Sequence, residues 1–255
     1  MKTYLSIILF IVTIASGCSS EIEFTPIAPP SVTTNSDLLI SEISTAINTD
    51  ANAAGTRPHY VEIYNGTAAS IDLSNYAIGY MASLDATTLA PWAFPSGNFL
   101  VLSTTLVTGK CYVIASPQAD ATVIKSDLTW GTTSTTNANA SVPLQLSGNS
   151  AIALLKKDAA GTITLSGNTY KIIDVFGSPL VARVTSTGSS SARNNFIWTV
   201  AGETDTRNRT FFRKATVTNP ATDWAKSKGT TPIDGEWQLS ADRAWDYTNL
   251  GLPTK

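Results

Sequence analysis

Charge is scarce in this chain, and so are the side chains on which most catalytic and metal chemistry depends. Only 14% of the 255 residues are Asp, Glu, Lys or Arg, and there is one histidine and two cysteines. A single His and two Cys exclude a zinc site built from several His or from a Cys set. A Ser-His-Asp relay would have to use His59, yet no G-x-S-x-G stretch accompanies it. No glycine-rich phosphate loop of the G-x-x-x-x-G-K-[ST] kind is present. The apolar run Leu5–Ile14 falls short of the roughly 20 residues that cross a bilayer as a helix. No internal repeat is found.

What is there begins with a leader. Lys2, the run Leu5–Ile14 and the small residues Ala15-Ser16-Gly17 follow the three-part layout of a secretory signal. Cys18 comes next, and the ending A-S-G-C resembles the lipobox of bacterial lipoproteins, which implies acylation of Cys18. Glu21 and Glu23 beyond it are similar to the acidic patches that direct some lipoproteins to the cell surface. With Cys18 lipidated, Cys111 has no partner for an intramolecular disulfide. It sits in the strand-like run KCYVIAS, where a small buried residue is expected. Loss of Lys2 with the signal leaves 16 basic and 19 acidic residues, a net charge of −3. Residues 19–36 hold Pro26, Pro29 and Pro30 among Ser, Thr and Asn, and read as an extended tether.

From Asp37 onward short apolar runs recur: LLISEIS, YVEIYN, NFLVLS, KCYVIAS, AIALLKK, YKIIDVFG, FIWTV and TFFRK. Gly, Asn, Pro or Asp separates nearly all of them. Runs of five to seven residues split by turn signals predict an antiparallel sandwich or barrel. Val61 and Ile63 alternate with Glu62 and Tyr64, and Asn65-Gly66 supplies a turn at low steric cost. One short helix is predicted at Pro220–Ser227, with Trp224 to dock it, and another near Ser116–Ile124. Residues 131–141 and 185–195 read as loops.

Three of these runs, LLISEIS, HYVEIYNGTAASIDLSNYAI and GKCYVIAS, resemble the lamin-tail domain. Its signature is I-S-E-I, then V-E-L-Y-N, a short turn, then D-L-S and an aromatic. NSAIALLKK and KIIDVFG are similar to its later strands, and the last third is similar to the ending of bacterial extracellular members. The resemblance spans residues 37–251. It implies an immunoglobulin-like sandwich in which Val61 and Ile63 fill the core, Ile71 and Leu73 return to it, and Tyr76 caps it. It also places Glu42 and Glu62 on neighbouring strands and Asp72 near the turn, accepting hydrogen bonds from loop amides. A calcium site from Glu42, Glu62 and Asp72 is the alternative, against which stands their lack of the spacing of a dedicated calcium loop. Bacterial members accompany nuclease or phosphatase domains, and this chain reads as the accessory domain alone.

One region carries concentrated charge. Between Arg183 and Lys228 lie eight basic residues against Glu203, Asp205 and Asp223, with Phe196, Trp198, Phe211 and Phe212 interleaved. Arg207, Arg209, Arg213 and Lys214 are the candidates for contacting a nucleic acid or an acidic glycan. A strand with Phe in the core and its basic residues in solvent explains the same pattern. Trp92 and Trp130 stand in loop-like contexts and are candidates for stacking on a sugar, whereas Trp224 and Trp237 are expected in the core.

The sequence thus predicts an all-β, immunoglobulin-like antiparallel sandwich with long loops and one or two short helices. Its parts are a signal at 1–17, a tether at 18–36 and the domain at 37–255. The expected role is a non-catalytic binding or adhesion module of the bacterial cell envelope, lipid-anchored at the outer membrane and exposed at the surface. It needs no cofactor, its first partner is the membrane, and its ligand is an unidentified glycan, protein or nucleic acid. The alternatives are polyanion capture by residues 207–214 and a hydrolase with an unrecognised carboxylate pair.

Overall fold

The computed structural model describes residues 34–45, 57–81, 89–131, 144, 146, 150–185, 196–204, 206, 208–241 and 246–252. Residues Thr33–Lys255 form one compact unit. The first strands are β1 (Leu39–Ser44), β2 (Tyr60–Tyr64), β3 (Ile71–Asp72), β4 (Tyr76–Met81), β5 (Phe99–Val101), β6 (Thr105–Leu106) and β7 (Cys111–Ala115). They are followed by β8 (Leu128–Thr129), β9 (Ala151–Lys157), β10 (Ile163–Leu165), β11 (Asn168–Phe176) and β12 (Val184–Thr185). The last are β13 (Phe196–Ile197), β14 (Thr210–Arg213) and β15 (Trp237–Leu239).

Two sheets make the immunoglobulin-like sandwich. One has the order β15-β14-β1-β2-β7-β8, the other β10-β11-β9-β4-β5. All their pairings are antiparallel except β7 with β8. Ile40, Ile43, Val61, Ile63 and Ile114 from the first sheet meet Ile78, Ile152, Leu154 and Val175 from the second in one buried cluster. Trp198, Phe211, Trp224 and Trp237 surround Phe176 at one side of that core, with ring centroids 4.8 to 5.2 Å from Phe176 for Phe211, Trp224 and Trp237.

A strict alternation would put Ile40 and Glu42 on one face, which no core would accept. The β1–β2 register slips between Ile40 and Glu42, so Ser41 is an extra residue. Such a bulge resets the alternation. Ile40 and Ile43, three apart, both enter the core, and Ser41 and Glu42 line the outer face. A second slip in β11, between Ile172 and Asp174, lies across the core from the first.

These irregular sites meet at Asp174. Its wholly buried carboxylate accepts Ile40 N–H at 2.7 Å and Ala221 N–H at 2.8 Å. Arg213 Nη1 lies 3.3 Å from it, while Arg213 Nη2 reaches Glu236 at 2.7 Å and the guanidinium lies 4.8 Å from the Trp237 ring centre. Burial pushes the Asp174 carboxyl above its ordinary value, and Arg213 and the backbone donors pull the other way. One carboxylate therefore ties β11 to β1, β14 and the segment before the helix Trp224–Ser227.

Two predicted elements differ from the structure. Ser116–Ile124 is a series of turns: Asp120 accepts the N–H and Oγ1 of Thr122, satisfying the backbone locally. Ile71 and Leu73 do not return to the core on one strand. Asp72 caps a 3-10 turn at Leu73–Asn75 by accepting Ser74 N–H at 2.9 Å, and the long strand begins at Tyr76. Leu73 still reaches the core.

Arg213→Met would leave Asp174 buried beside no countercharge. The expected loss is about 3–5 kcal/mol in urea unfolding. A loss below about 1 kcal/mol would show that the pair does not hold the sheets together.

Candidate functional site

The most chemically distinctive place is a cleft of about 250 Å³ on the outer face of the first sheet. Ser41, Glu42 and Glu62 form part of its lining, Gln238 and Ser240 another, and Asp246, Asn249 and Leu252 a third. Glu42 and Glu62 are direct partners in the β1–β2 register. Like charges directly opposite repel, and both side chains are almost wholly shielded, at 3% and 2% exposure. Donors offset that repulsion. Tyr60 donates its hydroxyl to Glu42, and Ser41 Oγ donates to Glu62 at 2.6 Å. Gly251 N–H donates to the other Glu62 oxygen at 2.5 Å. Burial, and then Glu42, push the Tyr60 phenol well above its ordinary range.

The chain from Asp246 to Leu252 lies over this face as a strap. Tyr247 and Leu250 pack on Tyr60, Val113, Ala115 and Ile124, a second apolar cluster. Thr210 Oγ1 accepts Asp246 N–H at 3.1 Å, and the Cys111 thiol donates to Leu252 O at 3.2 Å. Each of these ties runs to a side chain of the sheet, so the strap is not a further strand. Burial and Glu62 raise the Cys111 thiol far above its ordinary range, which suits a hydrogen-bond donor and not a nucleophile.

The structure brings together only part of the predicted carboxylate set. Asp72 is on the exposed cap of the 3-10 turn. Among the described residues no three His, Cys, Asp or Glu side chains gather to hold a metal. His59 precedes β2 and is buried, with Nδ1 accepting Leu146 N–H at 2.9 Å. It fixes the chain ahead of β9.

The basic strand is not a surface stripe. Arg213 is interior, enclosed by Asp174, Glu236 and Trp237. Arg209 is 8% exposed, with Nη1 donating to Ser240 O at 2.8 Å and Nη2 3.2 Å from Glu203. Lys214 Nζ donates to the carbonyls of Pro232, at 2.7 Å, Ile233 and Gly235. Arg183 is buried over Trp198 at 5.3 Å. Arg207 lies outside the described residues. Arg209 and Arg213 thus spend their guanidinium donors inside the fold, whereas Lys214 is half-buried over the 232–235 loop. Trp92 and Trp130 are partly buried against the core; Trp92 also packs on Phe94 at 5.7 Å.

Sequence reasoning passes over Asp174, Glu236 and the strap. A signal for the first is present, since Asp174 interrupts the apolar run KIIDVFG. The strap has no such mark, because Tyr247 and Leu250 are too sparse to show periodicity.

A sequence profile of the Lamin Tail Domain matches residues 31–178, more than half of the chain. The chain belongs to this family. Its matched part ends before β14 and β15, which complete the first sheet and supply Arg213. Among solved structures the chain is similar to a DUF4876 family protein from Bacteroides thetaiotaomicron, at 12% identity and a TM-score of 0.42, over 80% of this chain and 71% of that one. No curated protein matches it.

The loop that encloses Lys214 has its own acid-sensitive device. Asp234 accepts the Oγ1 of Thr230 at 2.6 Å and the N–H of Thr231 at 2.7 Å, and these bonds hold its carboxyl far below the ordinary range. A depressed folded value means stability that is complete above the unfolded value, about 3.9, and declines as pH falls below it. The expected outcome is that the Asp234 carboxyl stays ionised at about pH 3 in a carbon-detected NMR titration, where an ordinary Asp is mostly protonated. Titration at the ordinary value would show that these hydrogen bonds do not persist in solution.

Proposed function

We propose that this protein is a lipid-anchored module of the bacterial cell envelope that binds or adheres and does not catalyse. The observation that carries the reading is the ending Ala15-Ser16-Gly17-Cys18 after a short apolar run, set ahead of a self-contained sandwich. Lamin Tail Domain membership supports a domain that works by surface recognition, as sandwiches do when they carry long connections on a rigid frame. The state of the carboxylates supports the absence of catalysis. A glycosidase needs one carboxyl free to give a proton and another free to attack or to activate water. Glu42 and Glu62 instead serve Tyr60, Ser41 and Gly251. The role requires no cofactor and no calcium. Its ligand is a glycan or protein surface at the cell exterior, with the outer membrane as the anchoring site.

Two measurements test this. Replacing Cys18 by Ser should abolish incorporation of a labelled fatty acid and shift the protein from the membrane to the soluble fraction; unchanged membrane association would sink the anchor. Purified protein should show no turnover on a panel of polysaccharides. Glu62→Gln should lower stability by about 1–3 kcal/mol, as expected for a buried hydrogen-bond acceptor replaced by a group that also donates. A hydrolytic rate that disappears in this variant while its unfolding transition is unchanged would make the protein an enzyme.

A further inference from the structure

The second sheet ends at β5, and the backbone of that strand is open on one side. Asn98 O accepts Tyr80 N–H at 2.8 Å, and Leu102 N–H donates to Tyr76 O at 3.0 Å. Leu100 lies opposite Ile78 in the same register. Residues 98, 100 and 102 are therefore the ones that bond to β4, and Phe99 and Val101 occupy the alternate positions. Their N–H and C=O groups point away from β4. Among the described residues nothing bonds to them.

The side chains at this margin suit contact with their own kind. Residues 86–109 contain no Asp, Glu, Lys, Arg or His. Exposed sheet edges are ordinarily guarded by a charge, a proline or a bulge, and Phe99–Val101 has none of these. Leu100 shares the core side with Ile78, so Phe99 and Val101 turn to the outer face. Phe94 lies over Gly79, the register partner of Phe99, where a Cβ would collide with its ring. Phe94, Phe99 and Val101 thus make an apolar rim, with Val101 36% exposed.

We propose that β5 is a self-association edge, at which two copies of this chain pair β5 with β5 antiparallel about a twofold axis at Leu100. Phe99 of each copy then lies opposite Val101 of the other, each such pair exchanging both N–H···O bonds, and Leu100 meets Leu100 in a non-bonded pair. The two second sheets become one. The length of the edge selects this partner over a foreign strand. Asn98 N–H closes a turn on Pro95 O at 2.9 Å and Thr104 has a φ of 85°, so the straight part is short. A longer extended peptide would gain bonds along only these few residues. A second copy brings a strand of the same length, a matching apolar rim and no like charge to repel it. This inference goes beyond the binding role above and does not depend on the anchor at Cys18.

The test uses the full chain with Cys111→Ser in density-matched detergent. Sedimentation equilibrium should show a monomer passing to a dimer as concentration rises. Val101→Pro should return it to monomer with its unfolding transition retained, because proline removes an outward N–H that β4 does not use. Val101→Lys, which adds a charge at the rim and leaves the backbone intact, should weaken the dimer roughly tenfold. Leu100→Cys should oxidise to a disulfide-linked dimer roughly tenfold more than Ser103→Cys, an exposed position. The paired Cα atoms would lie about 4.5 Å apart at position 100 and about 20 Å apart at position 103. A monomer at every concentration overturns the proposal. So does a dimer that neither Val101 variant weakens, or equal cross-linking from the two positions. If Leu100→Cys does not fold, sedimentation of the Val101 variants decides alone.

Discussion

A carboxylate in the interior of an apolar sandwich is the constraint around which this fold is arranged. An unpaired charge there would cost several kcal/mol, so the chain supplies Asp174 with donors from three separate stretches. Ile40 can give its N–H only because the bulge at Ser41 takes that amide out of the regular ladder. Arg213 can give its guanidinium only because β14 pairs with β1 at a register that turns Phe211 and Arg213 inward. Ala221 brings the stretch ahead of the helix against β11. Glu236 and Ser227 extend the same chain of contacts, with Ser227 Oγ donating to Glu236 at 2.7 Å and accepting from Trp237 Nε1 at 3.1 Å. The part of the chain beyond the family match is thus bonded into the centre of the part within it.

The same bulge has an effect on the opposite side of β1. By turning Ile40 and Ile43 inward together, it leaves Ser41 and Glu42 adjacent on the outer face, beside Glu62. The I-S-E-I run is therefore a mark of a sheet irregularity as much as of a strand. Its Ser is the hydroxyl that satisfies the carboxylate on the neighbouring strand. The acidic pair and the Ile40 N–H that Asp174 accepts both lie at one extra residue.

How much of this is legible in the sequence follows from which forces are local. Val61, Ile63, Ile114 and Ile152 sit in runs whose pattern and turn residues already define strands, so the amino-acid order alone is enough to predict the sandwich. Asn65 shows its role openly, with Thr67 N–H donating to its side chain at 3.0 Å across the turn. Long-range pairing is what the sequence hides. Arg209 and Arg213 look like surface cations next to Phe211 and Phe212, because the acids that enclose them lie 6 to 39 positions away. Ser116–Ile124 has helical composition, yet Asp120 and Pro117 favour successive turns. The acidic cleft is half legible: Glu42 and Glu62 do lie on neighbouring strands as expected, but nothing local shows that residues 246–252 lie over them.

The strap also sets where the chain can be cut for laboratory use. Tyr60, Val113, Ala115 and Ile124 are buried because Tyr247 and Leu250 lie on them. A recombinant boundary drawn before Asp246, at the last residue of obvious strand character, would bare this apolar strip next to two carboxylates. Contiguous exposed apolar surface of that kind promotes self-association. Such a fragment would retain every strand of both sheets and is expected to self-associate, because the cover over this apolar strip is a segment of seven residues that form no strand at all.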